Sequence, residues 1–451
     1  MITTVLVVIL WSVVAVLLVY TARHYLFTFN RIFARQRQPY VDVTEANWPD
    51  IVVFVPCHNE EQVIAGSLDA IIEADYPHDR LTVVPINDRS TDATGEILDR
   101  YAQSHPRLVV PFHRDGGRPG KAAALSDASQ HFGGEVHLIF DADYVPGPKL
   151  LKQLVAPFFD PEVGAVMGRV VPHNVGSALI TRLLDLERAG GYQVDQQARM
   201  NLGLVPQYGG TVGGVRRDAL LAVGGWRVDT LAEDTDITFR LILSGWQVVY
   251  QNRSECYEEV PETWHTRIRQ IRRWAEGHNQ SLGRYLWPLL RSRAGSSASR
   301  RPYLSFFQVL DGALLLGVFA VGPVLLLGWL TAIALYYMGY SGIWGAVGVF
   351  SICAFGTLGN FAAFFEVAAA TRLDGSRDRV RLLPLLLFGF LVSLVAVSHA
   401  SLRQLVRGKQ QLRWDKTERY RATGGGPSAG AGGASRGASN GFGSRTNGQS
   451  L

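Results

Sequence analysis

The sequence predicts an α/β domain with a mixed, mostly parallel sheet, flanked by transmembrane α-helices. Two observations predict it. Charged residues make up only 18% of the 451, below the usual quarter, and the deficit is local. No Asp, Glu, Lys or Arg occurs from Met1 to Ala22, from Gly312 to Phe365 or from Leu382 to Leu402. Between these stretches, roughly Pro49 to Arg293, short buried-strand patterns alternate with helical ones, as βαβ units do. This composition excludes a disordered chain and a chain that coats nucleic acid.

A bilayer crossing takes about 20 apolar residues in a helix, and Val5 to Tyr20 with its neutral neighbours supplies them. A secretory signal would carry its basic residues before the apolar core and a small-residue cleavage site after it. Here Arg23, Arg31, Arg35 and Arg37 follow the core. The positive-inside rule then predicts a retained helix over residues 1–26, with the N-terminus outside and the middle of the chain in the cytoplasm.

The soluble half spans residues 48–285. Asp50 to Pro56 reads as a buried strand, and Glu60 to Ala74 as a helix through Val63, Ile64, Leu68, Ile71 and Ile72. Leu81 to Ile86 is a second strand, and Thr91 to Tyr101 a second helix with Ser90 and Asp92 as caps. Lys121 to Phe132 is a third helix and Val136 to Phe140 a buried strand. Residues 286–302 form an interfacial linker. Residues 303–406 hold three to four spans or interfacial segments. Gly312 to Phe365 can hold two, with a turn near Tyr337–Gly345, and Leu382 to Leu402 another. Tyr303–Gly317, interrupted by Asp311, is an additional span or an interfacial or re-entrant segment. Residues 407–451 are a basic and then Gly/Ser-rich tail, which composition predicts to be disordered. Cys57, Cys256 and Cys353 have the spacing of neither a disulfide framework nor a zinc site.

Ligands of parallel sheets sit beyond the carboxyl ends of the strands, and polar clusters fall at those ends. Val55-Pro-Cys-His-Asn-Glu60 ends the first strand, where Asn59 and Glu60 could equally cap a helix. Asn87 to Asp92 ends the second, and Asp88 there could be a turn residue. Asp141-Ala-Asp143 follows an apolar strand; two hard carboxylates at that spacing suit Mg²⁺ or Mn²⁺ shared with substrate phosphates, the plainer reading being an acidic turn. Gly120-Lys121 opens a helix. It is no P-loop, because Asp115 and Ala122 replace the Gly and the Ser/Thr, but Lys121 can meet a phosphate. Glu233 and Asp234 open an amphipathic helix, as dipole partners or as a general base. Gln270, Arg273 and Trp274 share one helix face. They offer a guanidinium for phosphate and an aromatic platform for a sugar, or a core Trp beside a snorkelling Arg.

In this order and at these separations, from Ile51 to Tyr285, the motifs resemble the processive family 2 glycosyltransferases, the membrane-embedded synthases of cellulose, chitin, hyaluronan and poly-N-acetylglucosamine. The resemblance implies a Rossmann-like GT-A domain on the cytoplasmic face of the plasma (inner) membrane. It implies inverting transfer from a nucleotide-sugar, with UDP the expected nucleotide. It assigns Asn59, Glu60, Asp88, Lys121 and Asp141 to the donor, with Asp141 and Asp143 on the metal. Asp234, beside Glu233, becomes the base of a T-E-D motif, and Gln270, Arg273 and Trp274 hold the diphosphate and the acceptor sugar. Ala232 departs from that motif's Thr, which puts acceptor positioning in question. Tyr208-Gly-Gly-Thr-Val-Gly-Gly214 sits where the family lines its acceptor pocket, though its glycines could instead serve close packing. The implied partners are a nucleotide-sugar, a growing glycan or lipid acceptor and the bilayer, with no nucleic acid. The +5 net charge is then assigned to membrane flanks and a diphosphate. A ceramide- or polyprenyl-type lipid glycosyltransferase is the nearest alternative and a non-catalytic sugar-nucleotide sensor a more distant one.

Overall fold

The computed structural model describes residues 1–37, 47–292, 304–340, 342, 345, 348–351, 362–374 and 377–407. Helix α1 (Ile2–Phe33) runs unbroken past the expected span. Its first twenty or so residues are bilayer-length, and from Arg23 onward it packs on the soluble domain.

Eight strands form one sheet: β1 (Ile51–Cys57), β2 (Leu81–Asp88), β3 (Phe112–Arg114), β4 (Val136–Ile139), β5 (Val145–Pro146), β6 (Val163–Pro172), β7 (Gly213–Arg216) and β8 (Gln247–Glu258), in the order β3-β2-β1-β4-β7-β6-β8-β5. The first four are mutually parallel, and β1 and β4 are buried on both faces, as helix-covered parallel strands require. β7 enters antiparallel between β4 and β6, which makes the sheet mixed. It fits because it begins with two glycines. A Cβ on Gly213 would lie 2.3 Å from the Val166 carbonyl oxygen, and one on Gly214 2.5 Å from Leu138 Cδ2.

The covering helices are α2 (Ile64–Ile72), α3 (Thr94–Ser104), α4 (Lys121–His131), α5 (Leu150–Val155), α6 (Leu179–Ala189), α7 (Gln197–Asn201), α8 (Arg217–Ala222), α9 (Glu233–Leu243) and α10 (Trp264–Arg291). A π-helical turn, Gly190–Gln196, joins α6 to α7. α2 and α3 start later than expected because side chains take their leading amides. The Glu60 N–H donates to Thr94 Oγ1 and the Glu61 N–H to Asp92. Asp92 also accepts from the Thr94 N–H, as a cap does, whereas Ser90 accepts from the Asn59 N–H instead of capping α3. The polar ends of β1 and β2 are thus tied to each other.

The C-terminal region contributes α11 (Phe306–Leu316), α12 (Val321–Tyr337), α13 (Ala362–Leu373) and α14 (Leu383–Arg407). Among the described residues, Ile2–Phe33, Val318–Tyr337 and Arg379–Gln404 are long and apolar enough to cross a membrane. α11 has 11 residues, about half of a crossing, so the segment interrupted by Asp311 does not span by itself. Leu10, Val13, Val14 and Leu17 of α1 pack on Val321, Leu325, Ala332 and Leu335 of α12. Much of the expected second span before Phe365, most of the 286–302 linker and nearly all of the tail lie outside the described residues.

Candidate active site

At the carboxyl ends of β1, β2 and β4 the sheet opens into a cavity of about 820 Å³. Among the sequence-predicted residues, Glu60, Asp88, Lys121, Asp141, Asp143, Glu233, Asp234, Gln270, Arg273 and Trp274 all line it. Asn59 does not. With φ of 55°, it turns its side chain to the β2 loop, accepting from the Thr91 N–H at 2.7 Å. Its contribution is to hold two strand ends together.

Asp88 is 6% exposed and is engaged on both oxygens. Arg114 Nη1 donates to Oδ1 at 2.7 Å, Arg89 Nη2 to Oδ1 at 2.8 Å, and the Gly120 N–H to Oδ2 at 2.9 Å. Asp88 therefore pins the loop that delivers Lys121. Gly120 can take this bond because its φ of 110° is open to glycine.

Lys121 places Nζ 2.6 Å from Asp141 Oδ1 and 3.7 Å from Glu233 Oε1. Burial would lower its pKa, but these two carboxylates outweigh burial and raise it, so the ammonium persists. Asp141 is further fixed by its own N–H, which donates to Thr211 Oγ1 at 3.0 Å. Asp143 is 1% exposed, and both its oxygens are excluded from solvent. Among the described residues no cluster of three or more His, Cys, Asp or Glu could hold a metal alone. Two carboxylates at a strand end do fit Mg²⁺ or Mn²⁺ whose remaining oxygens come from a diphosphate and water.

Glu233 and Asp234 occupy the first turn of α9, as expected. Burial raises both acids; for Glu233 Lys121 opposes it, and for Asp234 chiefly the Thr235 N–H does. That amide donates to Asp234 Oδ1 at 2.6 Å. Ala232, where a Thr was expected, packs on Gly277, and its N–H donates to Thr230 Oγ1 at 3.3 Å.

The glycine-rich segment divides its duties. Gly209 and Thr211 line the cavity, whereas Gly213 and Gly214 serve sheet packing. On α10, Trp274 is half-buried. The guanidiniums of Arg267 and Arg188 stand 5.2 and 5.4 Å from its ring centroid, close enough for cation–π attraction. Gln270 Oε1 accepts from Arg267 Nη1 at 2.9 Å.

Several cavity residues were not foreseen. Arg188 Nε is 2.5 Å from Glu258 Oε1, and Tyr144 OH donates to Glu258 Oε2 at 2.8 Å. Glu258 ends a strand, as the foreseen acids do, which was the available signal. His278 lies one helical turn beyond Trp274, so the same periodicity points to it. Tyr20, Arg23 and His24 also line the cavity, although nothing in α1 distinguishes them from an ordinary membrane flank. Arg23 bonds Asp195 at 2.7 Å and Asp311 at 3.2 Å, Arg199 lies 3.3 Å from each of those acids, and His24 sits 2.5 Å from Glu366.

The family described as "Glycosyltransferase like family 2" matches residues 49–277, just over half of the chain. The chain is 31% identical over 267 residues to a probable glycosyltransferase, YdaM, of Bacillus subtilis, covering 58% of this chain and 62% of that protein. It is 35% identical over 249 residues to the beta-monoglucosyldiacylglycerol synthase of Synechocystis, covering 54% and 50%. The chain thus spans half to three-fifths of these relatives' own length. Among solved structures, the mannosyltransferase PcManGT of Pyrobaculum calidifontis, in complex with GDP-Man and Mn²⁺, covers 90% of this chain and 100% of its own, with 22% identity and a TM-score of 0.56. A mixed sheet with acids gathered at its strand ends, and a family match over the segment that builds them, lead to one assignment: the chain belongs to the family 2 glycosyltransferases and has the GT-A-like fold.

Proposed function

We propose that this protein transfers a sugar, with inversion, from a nucleoside-diphosphate donor to a hydroxyl lipid held at the membrane end of the cavity. One observation carries the reading. The cavity lined by Asp141, Asp143 and Asp234 is also lined by Leu314, Leu315, Val318, Phe319, Leu394 and Val397, which lie on or beside the helices of the C-terminal membrane region. Aliphatic side chains give a sugar chain few hydrogen-bond partners, whereas they suit acyl chains. The monoglucosyldiacylglycerol synthase relatives agree with this choice of acceptor.

Asp234 is the base. Its raised pKa brings it nearer to neutrality, where a carboxylate accepts an alcohol proton most effectively. The deprotonated hydroxyl oxygen attacks the anomeric carbon as the bond to the diphosphate oxygen breaks, and that electron pair leaves with the diphosphate. Arg273 and Lys121 face the departing charge, and Trp274 offers a face for the sugar ring. Asp141 and Asp143 would hold Mg²⁺ or Mn²⁺, which when bound neutralises the diphosphate. Asn59, Glu60 and Asp88 build the nucleoside side, with UDP as the proposed nucleotide. The catalytic domain faces the cytoplasm of the plasma (inner) membrane, with the cluster Arg23, Arg31, Arg35 and Arg37 on that side.

Elongation of a β-linked polysaccharide with export is the second reading. It is favoured by a 28% identical relative from Arabidopsis thaliana named glucomannan 4-beta-mannosyltransferase 7. A panel of nucleotide-sugars, with the protein in nanodiscs containing dioleoylglycerol, separates the two. One sugar on an organic-extractable lipid supports the lipid reading; a ladder of water-soluble glycans replaces it with the polymer reading. Asp234→Asn is expected to abolish transfer, and normal turnover by that variant would end the general-base assignment.

A further inference from the structure

The base has two oxygens, and its surroundings treat them differently. Both hydrogen bonds that Thr235 gives to Asp234, from its N–H at 2.6 Å and from Oγ1 at 3.3 Å, go to Oδ1. Oδ2 faces Gly210. A Cβ built on that glycine would lie 3.5 Å from Oδ2 and 3.0 Å from Asp234 Cβ, and its φ of +75° disfavours any side chain. The backbone thus keeps the approach to Oδ2 clear while Oδ1 is occupied.

The Thr235 hydroxyl is fully buried and has three neighbours. Gln207 Nε2 donates to Oγ1 at 3.0 Å, and His278 Nε2 lies 3.3 Å away, the same distance as Asp234 Oδ1. A hydroxyl has one hydrogen and two lone pairs, so the tautomer of His278 decides where that hydrogen points. The His278 ring rests on Phe319, 4.8 Å between centroids. Burial pushes its pKa down to about 4, so the imidazole is neutral at working pH. Its Nδ1 is buried and makes no hydrogen bond among the described residues. An orphaned N–H is rarer in proteins than an orphaned acceptor, which favours the hydrogen on Nε2. His278 then donates to Thr235 Oγ1, Gln207 fills the second lone pair, and the hydroxyl hydrogen is directed to Asp234 Oδ1.

We infer that His278 is a positioning residue that acts through Thr235 to lock Asp234 Oδ1, so that Oδ2, beside Gly210, is the oxygen that takes the acceptor proton. The inference rests on Asp234 being the base. Phe319 joins this relay to the apolar wall, because the side chain on which His278 rests also lines the lipid end of the cavity.

The test uses the full chain in nanodiscs containing dioleoylglycerol, with UDP-glucose or the donor identified by the panel. His278→Phe removes the N–H, and His278→Gln retains one at similar reach. The Phe variant is expected to lose roughly tenfold or more in kcat, a part of the usual contribution of a general base, with its donor KM within about twofold of the parent. The Gln variant should recover most of that loss, which a purely structural role of the ring would not produce. A Phe variant with parental kcat, or a Gln variant no better than Phe, overturns the relay. Should the Phe variant fail to fold, Thr235→Val takes its place, and parental kcat there overturns the relay equally. Turnover by Asp234→Asn would instead refute the base on which the relay depends, so the two failures are distinguishable.

Discussion

Replacing Gly277 by alanine tests whether the contact between α9 and α10 sets the geometry of catalysis. A Cβ at 277 would stand 2.7 Å from Ala232 Cβ, 2.9 Å from Ala232 N and 3.0 Å from Leu231 C. None of these atoms can rotate away. Restoring an ordinary carbon–carbon separation moves one helix against the other by about 1 Å. Overpacking of this kind costs about 1–3 kcal/mol, of which alanine in a helix returns about 1 kcal/mol relative to glycine. The net loss of stability is therefore about 2 kcal/mol or less, and the protein remains folded. The catalytic cost is larger, because Asp234 lies two residues beyond Ala232, and Trp274 and His278 flank Gly277 on α10. A misplacement of about 1 Å can cost about 100-fold in rate. Nucleotide release at saturating donor, measured beside a thermal melt of the same preparation, is the assay. A folded Gly277→Ala protein with turnover within twofold of the parent would refute the claim that this contact fixes the base against the Gln270–Trp274 face.

Two further predictions follow from buried charge. Burial raises Asp234 above its ordinary value of 3.8 and Glu233 above 4.5, and the apparent values belong to the pair. The proposed base acts as a carboxylate, so kcat/KM is expected to rise with pH through an acid limb lying above 3.8. Because protonation is easier in the folded than in the unfolded state, the same pair weakens folding as pH rises. An acid limb at or below 3.8 would contradict the assignment. Asp311→Asn leaves Arg23 and Arg199 to share Asp195 alone, in a site where Asp311 is 4% exposed. The expected loss is about 1–3 kcal/mol, read as a lowered melting temperature in detergent, and an unchanged melt would show that the cluster is not the anchor described.

β1, β2 and β4 were legible because each is a mainly apolar run that ends in polar residues, as Asp50 to Glu60 and Val136 to Asp143 illustrate, whereas the short edge strand β3, Phe112–Arg114, carries no such run. The same rule located the acids at the strand ends. It did not reveal that Asn59 and Asp88 would spend their hydrogen bonds on neighbouring loops, because local chemistry at a turn is the same whether its partner is a ligand or a backbone amide. β7 was invisible in advance: Gly213 and Gly214 have no side-chain pattern to read, and only the carbonyl of Val166 explains them. The Arg188–Glu258–Tyr144 group joins residues 114 positions apart, a distance over which periodicity carries no information. The apolar runs located membrane-length helices without giving their ends, and the pairing of Asp311 with Arg23 is a tertiary fact that no local window contains.

That pairing has a practical bearing on how the enzyme can be handled. α1 resembles a removable anchor, and trimming it is a natural step in preparing a shorter catalytic fragment. Here the deletion would take away the guanidinium shared by Asp195 and Asp311, the imidazole beside Glu366, and the Arg31 Nε–H that donates to the Gln193 carbonyl in the π-helical turn. It would also remove Tyr20, Arg23 and His24 from the lining of the cavity. A protein truncated in this way would keep the two C-terminal apolar helices but lose residues that line the candidate site, and inactivity of such a fragment would say nothing about the chemistry of the intact enzyme.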